Sequence, residues 1–358
     1  MRATVMEVDM QKFNNNIQKI KQFVGNKEIM PVIKANGYGT HINFKLDIIN
    51  QFDIVAVAIV QEAIELRKIG YEKEIFILNQ PYIDDLEDIL NNNVIIGISS
   101  KSFLEEILEI DKDIKVHLEI ETGMNRTGIK LEDLEDFINK IKINEHIKVE
   151  GVYTHLSSAD IDEEYTLAQF QKFREAVEMI NRNFEGIKYI HSSASNGLLF
   201  YDDGVSNLCR PGIIMYGYES AAGVKDVINI EPICKLKSKV TFIKTINQGE
   251  SVSYSRKFIS KNKRRIATIP IGYADGLKRE LSNKGYVVIN DQLAPIVGNI
   301  CMDSFMADVT DIENVGVGTD AYIWDNNNQT IEDLAEECNT INYEIISTVS
   351  DRVPRIFI

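Results

Sequence analysis

The sequence has few cysteines and no long apolar run. Its four cysteines are far apart, with no C-x-x-C pair and no histidines at zinc spacing, so neither a disulfide framework nor a cysteine-ligated metal is predicted. Apolar stretches such as Ile54–Val60 are too short to span a bilayer, and the amino terminus lacks an apolar core of signal-peptide length. We therefore expect a reduced, cytoplasmic protein with no bound metal and no membrane partner.

Positive charge is scarce as well. Lys and Arg together number 39 against 54 Asp and Glu, which gives a net charge of −15 at pH 7. Because nucleic acids and anionic membranes attract basic proteins, neither is expected as a partner. The 358 residues are enough for one large domain and one smaller domain.

Apolar runs alternate with helical patterns through the first 230 residues. Eight runs predict strands: Ile29–Ala35, Ile54–Ile59, Glu74–Leu78, Val94–Ser99, Lys115–Glu121, Lys148–His155, Tyr189–Ser195 and Leu208–Tyr216. Strands that alternate with helices indicate parallel βα units, and eight such units close a barrel of the triosephosphate isomerase type. We predict an α/β fold with a (β/α)8 barrel over residues 1–230.

The pattern changes after about Glu231. Short apolar runs follow one another with little helix between them, which is typical of an antiparallel sheet. The residues Asn290–Gln292 form a candidate hairpin turn between two of these runs. We predict a second, mostly antiparallel β domain over residues 231–358.

Candidate site residues lie where the predicted barrel strands end: Lys34, Arg126, His155, Ser195, Arg210 and Gly212. Because the βα loops of a barrel converge at that rim, we expect these residues to form one site. The loops after the last two strands bind phosphate in many barrels, and here they carry hydroxyl groups and glycine. After Lys34, Gly37 and Gly39 allow positive φ and close approach of a ligand to the backbone.

A lysine opposite a phosphate site predicts Schiff-base chemistry. Two alternatives stay open: an aldolase whose lysine attacks the substrate carbonyl, and a pyridoxal phosphate enzyme whose lysine holds the cofactor. Simpler interpretations also exist for single residues. His155 is equally suited to a hydrogen-bonded core position, and Arg126 to a surface ion pair.

Several motifs together resemble those of the alanine racemase family, in order and spacing: VIKANGYG, ETGMNRTG, YTHLSSAD, CRPGIIMYG, SVSYSR, IGYADG, APIVGNICMD and RVPRIF. The resemblance covers essentially the whole chain. It implies a barrel that carries pyridoxal phosphate, a C-terminal β domain, and a homodimer in which the partner's β domain completes each active site. The implied reaction is the interconversion of L- and D-alanine by an amino-acid racemase, which is an isomerase.

The resemblance implies that two residues act as bases on the substrate α-carbon. Lys34 would hold the cofactor covalently and serve one face, and Tyr254 of the partner subunit would serve the other. His155 would link the Tyr254 phenol to Arg210 by hydrogen bonds. Since a phenol with a pKa of about 10 is a poor base at neutral pH, this cationic network is expected to help it ionise.

Arg210 would also face the pyridine nitrogen of the cofactor. An arginine does not usefully give up a proton, so the ring would stay neutral and act as a weaker electron sink, which limits transamination. The implied phosphate contacts are Tyr38, Ser195, Gly212 and Ile213. The implied residues at the substrate end are Arg126, Tyr273, Met302, Asp303 and Asp351.

Two departures from the family pattern change charged residues. Glu119 stands where many members have a lysine that is typically carbamylated and holds the following arginine, here Arg126. A glutamate cannot be carbamylated, so we hypothesise that Glu119 holds Arg126 through a water or a shifted guanidinium. Asn299 replaces an arginine of the substrate access channel.

The third departure is Asp351, which replaces a tyrosine that crowds the pocket beside the phosphate and the substrate methyl group. Aspartate is smaller and accepts hydrogen bonds, and the serine racemases related to this family also carry a small polar residue here. Serine is therefore an alternative or second substrate. The competing interpretation is that the Asp351 carboxylate avoids the phosphate and pairs with Arg352 or Arg355.

Two other protein classes are disfavoured. A non-catalytic pyridoxal phosphate carrier needs only a barrel, so the C-terminal β domain and Tyr254 argue against it. A two-domain decarboxylase is disfavoured by the racemase-like surroundings of Lys34 and Arg210.

Overall fold

The computed structural model describes residues 2–358, which divide into two compact units. The barrel unit comprises Asn14–Gly37 and Ile42–Glu231. The β unit comprises the residues up to Phe13, Tyr38–His41 and Pro232–Ile358. The domain boundary predicted between residues 230 and 231 stays a prediction.

The bounds of the regular elements follow in chain order. The strands are β1 (Val5–Val8), β2 (Glu28–Ile29), β3 (Ile54–Val57), β4 (Glu74–Ile77), β5 (Ile95–Ile98), β6 (Ile114–Glu119), β7 (Ile147–Tyr153), β8 (Tyr189–His191), β9 (Leu208–Cys209), β10 (Cys234–Lys239), β11 (Phe242–Ile246), β12 (Ser251–Val252), β13 (Phe258–Ile259), β14 (Arg264–Ile269), β15 (Tyr286–Ile289), β16 (Gln292–Pro295), β17 (Phe305–Asp308), β18 (Asp320–Trp324) and β19 (Arg355–Phe357). The helices are α1 (Met10–Val24), α2 (Lys34–Tyr38), α3 (Leu46–Ile49), α4 (Val60–Lys68), α5 (Leu86–Asn91), α6 (Lys101–Ile107), α7 (Leu131–Lys142), α8 (Glu163–Asn183), α9 (Ser195–Phe200), α10 (Val224–Val227), α11 (Ile331–Glu337) and α12 (Asn342–Ser347).

The barrel unit is a ring of parallel strands. Strands β3 to β8 are hydrogen-bonded in chain order, and β2 pairs with β9. Backbone hydrogen bonds join these groups on both sides; for example, Ile33 N–H donates to Ala56 O at 2.9 Å, and Asn207 N–H donates to Ile190 O at 3.0 Å. Every residue of β3 and β5 is buried, as expected where one face of a strand lines the barrel and the other lies under helices. The predicted barrel is confirmed.

The β unit contains a six-stranded sheet of order β16-β15-β18-β10-β1-β19 and a three-stranded sheet of order β11-β14-β17. Most of its pairs are antiparallel, which confirms the predicted class of this domain. The first strand of the chain, β1, lies between β10 and β19. The predicted hairpin turn is confirmed: Ile289 pairs with Gln292, and Asn290 and Asp291 have φ values of 49° and 59°.

Candidate active site

Lys34 stands at the start of α2, which has a left-handed backbone. Ala35 and Asn36 have φ values of 53° and Gly37 of 60°, and Tyr38 has a φ of 55°. A left-handed helix costs roughly 1–2 kcal/mol per L-residue, because Cβ crowds the following carbonyl oxygen. Strain of this kind persists where surrounding contacts hold it, and it concentrates at functional sites.

Gly39 contacts another part of its own chain. Its φ is 78°, and a Cβ there would lie 2.5 Å from the carbonyl oxygen of Ile346 in α12. The positive φ predicted at this glycine is confirmed, close approach of a ligand stays a prediction, and the side where a Cβ would lie is already filled. The backbone of α12 occupies that space.

Lys34 is partly buried among charged groups of the barrel unit. Burial lowers the pKa of its amine, and the Arg126 guanidinium lowers it further. The Glu62 carboxylate raises this pKa, and Arg210 lowers it. The net result is a lowered pKa, so more of the amine is neutral than in an ordinary lysine and able to attack a carbonyl or accept a proton.

Arg210 is a buried cation with 1% of its surface exposed. One terminal nitrogen donates to His191 O and His191 Nδ1, both at 2.7 Å. The other donates to Thr154 O at 2.7 Å and Ser192 O at 2.9 Å, and it lies 3.4 Å from His155 Nδ1. Nε takes part in none of these contacts, so it is the nitrogen left to face a ligand.

Two buried histidines continue the network behind Arg210. Because a guanidinium only donates, His191 Nδ1 must accept, and His191 Nε2–H then donates to His117 Nδ1 at 2.9 Å. His117 therefore carries its proton on Nε2, which has no hydrogen-bond partner among residues 2–358. Burial lowers the pKa of His117 to about 3 and that of His191 well below its usual value, so both rings are neutral. Neither histidine was among the site residues predicted from the sequence.

His155 lies beside Arg210 and is neutral too. Burial lowers the pKa of its imidazole to about 3, with further contributions from Arg210, Arg126 and Lys34. Since its Nδ1 accepts from Arg210, its proton resides on Nε2 and is available to a second acceptor.

The predicted phosphate residues of the barrel lie where β8 and β9 end. Ser195 is buried at the start of α9, and its Oγ accepts a hydrogen bond from Gly212 N–H at 3.1 Å. Ile213 begins a 3-10 helix that ends at Tyr216. Hydroxyl groups and amides at the starts of helices suit an anion such as phosphate. The fourth predicted residue, Tyr38, belongs to the β unit.

Glu119 and Arg126 form no direct ion pair in the described part of the chain. Glu119 is 4% exposed; Oε1 accepts from the Thr127 hydroxyl at 2.9 Å, and Oε2 has no partner within residues 2–358. Burial raises the pKa of its carboxyl group. Arg126 is exposed and lines a cavity of about 600 Å³ with residues 79–82, Ser99 and Ser100. The water-mediated or shifted contact with Glu119 stays a prediction.

The residues predicted to act from the C-terminal domain share one surface of the β unit. Tyr254 is 69% exposed, Met302 52% and Tyr273 43%. Backbone hydrogen bonds join the Tyr273 and Met302 loops: Tyr273 N–H donates to Cys301 O at 3.1 Å, and Ala274 N–H donates to Met302 O at 3.0 Å. Asn299 joins the Tyr254 turn to the same loop. We call Tyr254, Tyr273 and Met302 the exposed patch. Asp303, next in sequence, is bound by Arg352 at 2.7 Å.

Tyr254 lies in a strained turn that Asn299 holds. Ser253 has φ 66° and ψ −174°, a region nearly restricted to glycine, and Ser255 has φ 61°. The Asn299 side chain donates to Tyr254 O at 2.9 Å, and Asn299 O accepts from the Ser253 hydroxyl at 2.5 Å. Asn299 is 4% exposed, so within the β unit its side chain supports the Tyr254 turn.

Asp351 contacts a histidine instead of an arginine. His41 Nε2 lies 3.0 Å from its carboxylate. Arg352 pairs with Asp303, and Arg355 donates to backbone carbonyls, including Gly39 O at 2.8 Å. The interpretation that Asp351 pairs with one of these arginines is therefore wrong.

The donor set of the barrel unit fits pyridoxal phosphate. Lys34 offers an amine of lowered pKa for a Schiff base, Arg210 offers an Nε that makes none of the hydrogen bonds of its terminal nitrogens, and Ser195 with Gly212 offers polar groups for a phosphate. An aldolase needs no cation for a ring nitrogen. Fold and site together define a barrel enzyme of the pyridoxal phosphate class.

Comparison with models of protein families identifies the family of this chain. Residues 8–220 match the alanine racemase N-terminal domain, and residues 233–357 match the alanine racemase C-terminal domain. The chain belongs to the alanine racemase family. Enzymes of this family are pyridoxal phosphate-dependent isomerases, so the predicted enzyme class and cofactor are confirmed. Because both domains match, a carrier made of a barrel alone is excluded.

Individual relatives are similar over their full length. Alanine racemase of Methanococcus maripaludis is 37% identical, covering 98% of both chains. Alanine racemase 2 of Caldanaerobacter subterraneus is 34% identical, covering 100% of this chain and 95% of the relative. The crystal structure of alanine racemase from Bacillus anthracis with bound L-Ala-P has a TM-score of 0.93 at 32% identity, covering 100% of this chain and 95% of that one.

Proposed function

We propose that this chain interconverts L- and D-alanine, with Lys34 and Tyr254 of the partner subunit as the two bases. The lowered pKa of Lys34 carries the proposal, because an amine that is neutral more often can bind the cofactor and take a proton from the substrate. Bound pyridoxal phosphate withdraws electrons from the bonds of the substrate α-carbon, which makes its hydrogen acidic.

Arg210 would keep the cofactor ring unprotonated. Burial lowers the pKa of its guanidinium to about 10, which is still far above neutrality, so Arg210 stays a cation and a donor. Its terminal nitrogens are bound to barrel groups, so Nε would be the nitrogen that donates to the ring. A ring that is not protonated stabilises carbanions less, and this favours racemisation over transamination.

The phosphate would lie among Ser195, Gly212, Ile213 and Tyr38. Burial raises the pKa of the Tyr38 phenol, so this hydroxyl stays protonated and can donate to a phosphate oxygen. Arg126, exposed and without a carboxylate partner in residues 2–358, is suited to the carboxylate of the substrate.

A homodimer would bring Tyr254 to the barrel of the other subunit. Large side chains in the exposed patch are what an interface would cover. The directions of the hydrogen bonds at His155 also agree with Tyr254 acting as a base. Arg210 donates to His155 Nδ1, so His155 Nε2–H can donate to the Tyr254 oxygen and stabilise its ionised form. Tyr273, Met302 and Asp303 would also come from the partner subunit and shape the substrate end of the site.

Serine is the second candidate substrate, and the Asp351 contact favours it. The carboxylate is bound by His41 through one oxygen, which leaves the other oxygen to accept from a β-hydroxyl group. Asp351→Tyr should lower serine turnover about tenfold relative to alanine. Asp351→Asn keeps an acceptor oxygen and the size, and serves as the matched control. An unchanged serine-to-alanine ratio in the tyrosine variant would rule out this role.

Chiral analysis in deuterated water tests the proposed reaction. The purified, cofactor-loaded protein is incubated with L-alanine, L-serine and larger L-amino acids. We expect rapid formation of α-deuterated D-alanine. Deuteration without inversion would mean that one base is missing, and release of carbon dioxide would indicate a decarboxylase. No helix within residues 2–358 has both the length and the apolar character that crossing a bilayer requires; a cytoplasmic location stays a prediction.

A further inference from the structure

One carboxylate joins the Lys34 turn to the neighbouring strand end. Glu62, in the first turn of α4, accepts from Ala35 N–H through Oε1 at 2.6 Å. Its Oε2 accepts from Ala58 N–H at 2.7 Å and, more weakly, from Ile59 N–H at 3.4 Å. Glu62 thus connects the peptide that follows Lys34 with the loop that follows β3.

The contact with Ala35 falls on strained backbone. Ala35 is the first of the left-handed residues of α2, and such a conformation needs outside contacts to persist. Hydrogen bonds from backbone amides to an ionised carboxylate are among the stronger ones. Glu62 therefore holds the turn at the point where it leaves Lys34.

Glu62 also contributes charge at the Lys34 amine. Arg126 and Arg210 disfavour a second positive charge there, and the Glu62 carboxylate acts in the opposite direction. His155, the other titratable group that interacts with Lys34, is neutral. Burial has the largest effect on the pKa of the amine, and two cations and one anion add to it.

We propose that Glu62 is a positioning residue for Lys34, which clamps the turn that bears the lysine and supplies the negative charge that opposes the two arginines at the lysine amine. The importance of this for catalysis rests on the proposed role of Lys34. The competing explanation is a structural one, because Glu62 also caps the start of α4 through Ile59. A cap alone would affect stability and leave the chemistry of Lys34 unchanged.

The test follows the pH dependence of Lys34 acetylation by acetic anhydride in the full chain freed of cofactor, with the site identified by mass spectrometry. Glu62→Gln removes the charge, so the Lys34 labelling rate at pH 7, relative to its high-pH plateau, should rise about threefold. Glu62→Asp keeps the charge but is too short to reach both amides. In Glu62→Asp, the pH dependence of Lys34 acetylation should therefore be close to that of the wild type. Its free energy of unfolding in urea should be lower.

A matched control removes a similar cap elsewhere. Asp333 caps α11 by accepting from Thr330 N–H and Thr330 Oγ1, both at 2.8 Å. Asp333→Asn should lower stability and leave the Lys34 profile unchanged. An unchanged profile in Glu62→Gln, or equal shifts in the Gln and Asp variants, would overturn the proposal. Protection of wild-type Lys34 by added pyridoxal phosphate tests the proposed function separately, because it does not depend on the variants.

Discussion

The Lys34 turn and the Tyr254 turn are built in similar ways but differ in their surroundings. Each carries a candidate base next to non-glycine residues with positive φ. One buried or half-buried polar side chain holds each turn by hydrogen bonds to backbone: Glu62 accepts from Ala35 N–H, and Asn299 donates to Tyr254 O. Strain and a side-chain clamp therefore accompany both candidate bases.

The difference lies in charge and exposure. Lys34 is partly buried among charged groups, and its clamp is an anion that acts on its pKa. Tyr254 is 69% exposed, and its clamp is a neutral amide. Groups of the barrel unit thus shift the pKa of its candidate base. The β unit fixes the position of a tyrosine and leaves its surroundings to be supplied by another surface, as the proposed homodimer would do.

Removal of Lys34 should have the largest effect. Lys34→Ala is expected to lower racemisation on the order of 10³-fold or more, because it removes both the cofactor link and one base. Borohydride reduction followed by mass spectrometry should find no cofactor attached to the variant. Lys101→Ala, which removes a surface lysine paired with Asp136, is the control. Cofactor still trapped at another lysine, with activity retained, would contradict the assignment.

Loosening the Tyr254 turn should have a smaller effect on one side of the reaction. Asn299→Ala should lower abstraction of the L-alanine α-proton by about tenfold, since misplacement of a reacting group slows proton transfer. Exchange of the D-alanine α-proton, assigned to Lys34, should stay near the wild-type rate. Asn262→Ala, at an exposed position of the same unit, should change neither. An equal loss of α-proton exchange from L- and D-alanine would show that Asn299 affects both candidate bases, not Tyr254 alone.

The neutral histidines of the barrel predict a pH effect on stability. Burial lowers the pKa of His117 to about 3 from its ordinary value of 6.5. Between these values the unfolded chain binds a proton that the folded chain does not, so the free energy of unfolding falls as the pH drops from 6.5 toward 3. In His117→Leu, the plot of unfolding free energy against pH should be flatter by up to about 1.4 kcal/mol per pH unit. Urea unfolding at several pH values measures this, and a plot parallel to the wild type would contradict it.

Relief of backbone strain should have the smallest effect. Ala35→Gly and Ser255→Gly place glycine at φ 53° and φ 61°, and each should change the free energy of unfolding by less than about 1 kcal/mol, because relief of strain is offset by the greater freedom of glycine in the unfolded chain. Ser102→Gly, inside α6, should destabilise by about 1 kcal/mol. Urea unfolding compares the three variants. A large loss of unfolding free energy in Ala35→Gly or Ser255→Gly would show that the positive-φ backbone of that turn is not strained.

The repetitive parts of the fold were predictable from the sequence. Strands such as β3 and β5 are apolar at nearly every position, and the helix over Leu131–Lys142 has a regular apolar face. The pairing of Val5–Val8 with β10 and β19 was not predictable. Four residues carry little pattern, and their partners are more than 200 positions away.

Site residues at strand ends were also predictable, whereas the residues that support them were not. His117 alternates with Lys115 and Glu119 along β6, so polar residues at every second position of an otherwise apolar strand were the available signal. Glu62 looks like an ordinary acidic residue in the first turn of a helix. Its contact with Ala35 depends on the left-handed turn, which the sequence KANGY does not reveal, because only one of the residues after the lysine is glycine.

The two-base assignment is tested most directly by Tyr254→Phe in deuterated water, with exchange at the α-carbon of each alanine enantiomer followed by NMR. We expect D-alanine still to exchange its α-proton through Lys34, while exchange from L-alanine and racemisation fall together by at least about 10²-fold. Tyr286→Phe, which alters another exposed tyrosine of the same unit, should behave as the wild type. Exchange and racemisation from L-alanine at the wild-type rate in Tyr254→Phe would rule out Tyr254 as the second base.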